Sequence, residues 1–198
     1  FVEMFYLSEE GYLADYVDSY GIDKAIRCNQ IVACGLKYKM LDDAQIVNIL
    51  MTVRQHLLTP AGLRSLSPLH PMFESTYKEN PIEQEAAATN GAVWVWPLMF
   101  YVECALKLDG ERFLPVAEEM LAAFDDNIQT YCIGSVAEYY DANPPFAPRG
   151  AISQAWSVAG VLYIKQLVEK YKAKAKRATK SSAKSATKRT AAKKSIKK

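Results

Sequence analysis

Val93-Trp-Val-Trp-Pro-Leu-Met-Phe-Tyr-Val-Glu-Cys-Ala-Leu106 is apolar on nearly every side, with Glu103 its one charge. A helix of that composition buries most of its faces, unlike a surface helix with a single apolar stripe. Asn90-Gly91 just before it is a hairpin signal, but no alternating strand follows, so it reads as the loop entering this helix. Working outward, Glu111 to Tyr131 repeats Phe113, Val116, Met120, Phe124 and Ile128 at helical spacing, and Ile152 to Tyr171 does so with Trp156, Ala159, Tyr163 and Leu167. Upstream, Ile46, Leu50, Val53 and Leu57 form one stripe between Asp42 and Leu58, opened by a capping box of Asp42 with Gln45 and closed by Pro60 and Gly62. Ile26 to Leu36 adds a fifth helix, and Leu63 to Glu85, with Pro68, Pro71 and Pro81, lacks any period and is expected to be an extended loop. About five helices and no sheet make the class all-α, built of helical hairpins.

The 198 residues are half apolar and 23% charged, enough for one globular core. The net charge of +2 hides a division of the chain. Residues 172–198 hold twelve of the twenty-four Lys and Arg and no acid; residues 1–171 set the other twelve against twenty-two acids, a net of −10. The expected organisation is therefore a domain over 1–171 and a basic Lys/Ala/Ser/Thr tail over 172–198, helical for a turn or two and otherwise unstructured. An acidic body is a poor nucleic-acid surface, whereas the tail can hold nucleic acid or another polyanion weakly and without sequence preference. Cys28, Cys34, Cys104 and Cys132 form no Cys-x-x-Cys pair and have apolar neighbours, which fits buried thiols in a reducing compartment and neither disulfides nor a metal site. The apolar run from Ala92 to Val102 is stopped by Glu103, too short to span a bilayer. The chain is expected to be cytoplasmic, free of membrane, metal and organic cofactor, and, since Phe1 is no initiator Met, cut from something longer.

Gly134-Ser-Val-Ala-Glu138-Tyr-Tyr-Asp141-Ala-Asn143-Pro144-Pro145 puts an acid between tyrosines in a loop bounded by Gly and Pro and flanked by strong helices. A loop on a helical scaffold can aim such a carboxylate into a cavity as a general base; a solvated loop acid is the plain alternative. Trp94, Trp96, Tyr101, Tyr139, Tyr140 and Trp156 all fall near loop-to-helix junctions, where rings stack on the apolar faces of sugars and Asn29, Gln30, Asn90 and Gln154 can bind hydroxyls.

Four segments in order carry a family resemblance. They are Gly11-Tyr-Leu-Ala-Asp-Tyr-Val-Asp18 with Ile26-Arg27-Cys28-Asn29-Gln30-Ile31; Leu57-Leu-Thr-Pro-Ala-Gly-Leu-Arg64-Ser-Leu-Ser-Pro68; Asn90-Gly-Ala-Val-Trp94-Val-Trp96; and Ser135-Val-Ala-Glu138 with Pro148-Arg149-Gly-Ala-Ile-Ser-Gln154-Ala-Trp156-Ser157. Together they span most of residues 11–170, and the chain resembles the C-terminal domain of glycogen-debranching enzymes of the amylo-α-1,6-glucosidase type. Cys28 departs from the family's Pro, and Ala88-Thr89-Asn90 from its Tyr-His-Gln, so no substrate-binding His carries over.

The resemblance implies an (α/α)6 barrel of the six-hairpin glycosidase type, of which only about the C-terminal half is present, with a sugar pocket among its loops. It implies that Glu138 matches the general base of an inverting hydrolase, and that Arg27, Asn29, Arg64, Trp94, Trp96, Asp141, Gln154 and Trp156 bind substrate or support the loops that do. Inversion needs a second carboxyl roughly 6.5–9.5 Å away as general acid; the family's acid belongs to an earlier segment near a Trp-Met-Asp motif that does not occur here. The implied partners are a branched α-glucan such as glycogen or limit dextrin and the N-terminal half of the same enzyme, without which the chain is expected to be inactive. The competing class is a non-catalytic carbohydrate-binding or scaffold protein whose tail holds an anionic polymer.

Overall fold

The computed structural model describes residues 1–76, 80–131 and 133–195. A short helix α1 (Val2–Phe5) leads into two hairpins of two-residue strands, β1 (Tyr6–Leu7) with β2 (Tyr12–Leu13) and β3 (Val17–Asp18) with β4 (Gly21–Ile22). Helix α2 is confined to Gln30–Gly35, so the helix expected from Ile26 starts four residues later; Arg27 instead makes a β-bridge to Leu66. Helix α3 (Asp43–His56) begins on a complete capping box, in which Asp42 Oδ1 accepts the Gln45 N–H at 2.8 Å and Gln45 Oε1 accepts the Asp42 N–H at 3.0 Å. Its expected stripe of Ile46, Leu50, Val53 and Leu57 is buried.

The chain is not free of sheet, and this corrects the sequence reading. β5 (Leu58–Thr59), β6 (Gly62–Arg64), β7 (Val93–Trp94), β8 (Tyr139–Tyr140) and β9 (Pro148–Arg149) form one antiparallel sheet in that spatial order. Strands of two or three residues are too short to show a period of two, and apart from the β5–β6 hairpin their partners lie far off in sequence: Leu63 faces Trp94 and Val93 faces Tyr140. Burial holds them: Leu63 and Val93 are both fully enclosed, worth about 1.5–3 kcal/mol each. At the turn between β5 and β6, Gly62 takes φ 143°, and a Cβ there would meet the Trp94 carbonyl oxygen at 2.3 Å.

Val93-Trp94 is thus strand, and the buried helix that the sequence starts at Val93 begins at Leu98. Helix α5 (Leu98–Thr130) is broken at Asp109 (φ −145°, ψ 71°), whose Oδ1 accepts the Arg112 N–H at 3.3 Å, so the two helices read from the sequence meet end to end there. Between β6 and β7 the expected loop contains helix α4 (Pro81–Thr89), with Pro81 in its first turn and Asn80 capping the Ile82 N–H at 3.0 Å. Only Ala87 of α4 is buried, which is why no apolar period marks it.

Helix α6 (Ala155–Ser195) packs along α5. Among its residues with described burial, Ser157, Gly160, Val161, Ile164, Leu167 and Val168 are buried, whereas Trp156 and Tyr163 of the expected stripe are exposed at 59% and 36%. The helix is apolar on two sides and its period fits both, so sequence alone picked the wrong one apart from Leu167. The helix also continues to Ser195, well past the turn or two expected of the tail. Residues 172–195 contain no Gly or Pro and are rich in the good helix formers Ala, Lys and Arg, and a chain already helical at Tyr171 has no nucleation cost left.

Candidate active site

The sheet sits where α3 ends and where α5 and α6 begin; β5, β6, β7 and β9 come from the motif segments, and β8 directly follows the segment that ends at Glu138. Glu138 immediately precedes β8. Its backbone N–H donates to the Ala151 carbonyl at 3.0 Å, and its Oε2 accepts the Ala151 N–H at 2.9 Å. The carboxylate is half-buried, and its second oxygen accepts no hydrogen bond from the described residues. Gly150 makes this grip possible: it takes φ 70°, and a Cβ there would lie 2.5 Å from Oε2.

Two links join Glu138 to tryptophans. Tyr139 packs on Trp94 with ring centroids 5.1 Å apart and planes tilted by 35°, and the Glu138 carbonyl accepts the Ser157 hydroxyl at 2.9 Å, one residue from Trp156. Trp156 in turn meets Trp96 edge to face at 5.8 Å.

Trp94 and Trp96 line an open cleft of about 530 Å³ together with Asp15, Arg27, Cys28, Asn29, Ser65, Ala88, Thr89 and Asn90. One carboxylate organises its polar wall. Asp15 Oδ2 pairs with Arg27 Nε at 3.2 Å and Oδ1 accepts from Asn29 Nδ2 at 3.0 Å. The Arg27 guanidinium also donates to the Thr89 carbonyl at 2.7 Å and to Asn90 Oδ1 at 2.9 Å, tying α4 to the leader segment. The Trp94 indole N–H donates to the Ala88 carbonyl at 2.9 Å, which fixes the ring against the cleft.

The structure therefore brings Arg27, Asn29, Trp94 and Trp96 together and sets Trp156 against their edge. The other three named residues are engaged elsewhere. Arg64 donates through Nε to the Ala142 carbonyl at 2.9 Å, and burial lowers its pKa. Asp141, buried, takes the Arg149 guanidinium on both oxygens, the closest contact being 2.8 Å. Gln154 caps α6, its Oε1 accepting the Ser157 N–H at 2.9 Å. Glu138 is not among the cleft-lining residues; its neighbour Tyr139 packs on the cleft residue Trp94.

Asp15 and Ser65 are the cleft residues that sequence reasoning passed over. Ser65 accepts the Gly91 N–H at 2.8 Å. Asp15 had a readable signal: an acid in the leader segment twelve residues before an arginine that has to be paired if it is to sit in a pocket. Cys28, Cys34 and Cys104 are free and buried, and burial pushes each thiol up to about 12; Cys132 lies outside the described residues. No group of three or more His, Cys, Asp or Glu placed to hold a metal occurs among the described residues, and no described helix is long and apolar enough to cross a membrane.

A family profile described as amylo-alpha-1,6-glucosidase matches residues 1–163. The chain belongs to the amylo-alpha-1,6-glucosidase family. Among solved structures, neutral trehalase Nth1 from Saccharomyces cerevisiae is similar at 17% identity with a TM-score of 0.55, over 86% of this chain and 28% of that one. No curated protein sequence matches. The likeness to the trehalase assigns the six-hairpin glycosidase fold, so the helices described above form part of an (α/α)6 barrel, here with a small sheet added. The amylo-alpha-1,6-glucosidase family places the chain among glycoside hydrolases, of which it spans 28% of the length of the trehalase it resembles.

Proposed function

We propose that the chain is the C-terminal part of a glycogen-debranching α-1,6-glucosidase, which removes α-1,6-linked glucose from glycogen or limit dextrin with inversion. The observation that carries this reading is the hold on Glu138: one carboxylate oxygen is fixed by the Ala151 N–H while the other accepts nothing from the described residues. An acid anchored at one oxygen and open at the other can take a proton from a water without swinging away. That water attacks the anomeric carbon on the face opposite the departing glucan oxygen. A carboxylic acid on an upstream segment, roughly 6.5–9.5 Å from Glu138, protonates that oxygen.

In this scheme Trp94 and Trp96 stack on the glucose ring, and Arg27 and Asn29, held by Asp15, meet its hydroxyls. Trp156 extends the aromatic wall toward the glucan. Arg64, Asp141 and Gln154 keep the loops in place through the partners already named. The barrel is completed by the preceding half of the same enzyme, and the chain alone is inactive because it lacks the acid. Residues 1–171 make up the glucosidase part and 172–198 a basic appendage. The buried thiols fit a reducing compartment, and the enzyme works in the cytoplasm on its soluble glucan.

The test is to incubate the complete enzyme with a branched limit dextrin and follow the released sugar by proton NMR before mutarotation. β-Glucose appearing first is the expected result. α-Glucose as the first product, or no glucose at all, overturns the proposal.

A further inference from the structure

We propose that the C-terminal basic helix is a sequence-independent binding element for duplex DNA, a property independent of the glucosidase reading. Residues 172–198 carry twelve Lys and Arg and no acid, on a body whose net charge is −10. At the root of the tail Lys172 pairs with Glu118 and Lys174 lies 5.8 Å over the Tyr171 ring, and Lys176 and Arg177 are exposed. The backbone stays helical to Ser195. The stretch from Lys172 to Ser195 is a rod of about 36 Å at 1.5 Å per residue, close to one turn of B-DNA. The major groove, about 12 Å wide, admits an α-helix, and the duplex presents a phosphate about every 1.7 Å.

Composition selects among polyanions. No aromatic residue follows Tyr171, so the tail has nothing on which to stack the bases of a single strand. Residues 172–195 hold no Leu, Ile, Val, Phe or Trp, so the helix lacks the apolar face that seats an amphipathic helix in a lipid surface. Lys176, Lys180, Lys184 and Lys188 recur every four residues, the spacing at which like charges repel along a helix. A polyanion that neutralises them therefore stabilises the helix as it binds. The acidic body repels phosphate and adds nothing to the contact.

The probe is a fluorescein-labelled DNA duplex of mixed sequence, about two helical turns long, titrated with the full chain by anisotropy from about 50 to 200 mM KCl. With about eight phosphates contacted, each doubling of salt weakens binding about 150-fold, and a second duplex of unrelated sequence binds equally. In a full-length variant with Lys180, Lys184, Lys188, Arg189, Lys193, Lys194, Lys197 and Lys198 all changed to Gln, binding is lost at the lowest salt. Circular dichroism reports whether that variant keeps its helix, and a companion with the seven lysines of the set changed to Arg keeps the affinity if charge is the cause. Absence of binding by the natural chain at about 50 mM KCl, equal binding by the Gln variant, or tighter binding to phosphatidylserine vesicles than to duplex overturns the proposal.

Discussion

Replacing Asp15 by Ala should loosen the whole polar wall of the cleft. The carboxylate holds Arg27 at 3.2 Å and Asn29 at 3.0 Å, and the side chains of the ion pair are only 20% and 14% exposed, Arg27 first. An exposed pair contributes about 0–1 kcal/mol, while removing one partner of a buried pair costs about 3–5 kcal/mol. Arg27 is not stranded by the change, because the Thr89 carbonyl and Asn90 Oδ1 still accept from it. The loss should therefore fall between the limits, at about 2 kcal/mol. For a domain of this size that lowers Tm by about 4–8 °C, read by tryptophan fluorescence, to which the cleft residues Trp94 and Trp96 contribute. A double-mutant cycle with Arg27→Met should return a coupling of about 1 kcal/mol or more. A shift below about 1 °C, or a coupling near zero, would show that Asp15 does not organise the cleft.

Gly150→Ala forces a Cβ to within 2.5 Å of Glu138 Oε2 at φ 70°, so it should displace that carboxylate, lower stability by about 1–3 kcal/mol, and slow glucose release in the complete enzyme; unchanged turnover would separate the Glu138 position from activity. Asp42→Ala removes one half of the α3 capping box and should cost about 1 kcal/mol in urea unfolding, with the slope of the transition unchanged. Cys28, Cys34 and Cys104 have thiols raised to about 12 by burial, so at pH 8 they should resist iodoacetamide until urea is added, as mass spectrometry of labelled peptides will show. The same raised values fix the sign of an alkaline effect. The folded chain keeps these protons where the unfolded chain loses them, so stability is intact below the ordinary thiol range and declines as pH rises from about 9 toward 12.

Helix α3 was legible because its signals are local: Asp42 and Gln45 cap each other across three residues, and its buried stripe keeps one period. Val93-Trp94 was not, because nothing within those two residues distinguishes the start of an apolar helix from a strand whose partners are Leu63 and Tyr140. On α6 the periodicity was real but two-sided, and only packing against α5 decides that Val161 and Ile164 turn inward while Trp156 faces out. Of the eight residues that the resemblance groups around a sugar pocket, Arg27, Asn29, Trp94 and Trp96 line one cleft, whereas Arg64, Asp141, Gln154 and Trp156 do not. Asp15 escaped because its role is set by an arginine and an asparagine on another segment, and the engagement of Arg64 by the Ala142 carbonyl, 78 residues away, has no local trace.

The account rests most heavily on Glu138 as the group that activates water. Glu138→Gln in the complete enzyme keeps the size of the side chain and an oxygen for the Ala151 N–H, and removes only the charge that takes the proton. Glucose release from limit dextrin should fall by about 100- to 10,000-fold while oligosaccharide affinity, followed by tryptophan fluorescence, changes little. Turnover within a fewfold of the natural enzyme would contradict the account and move the base to another residue.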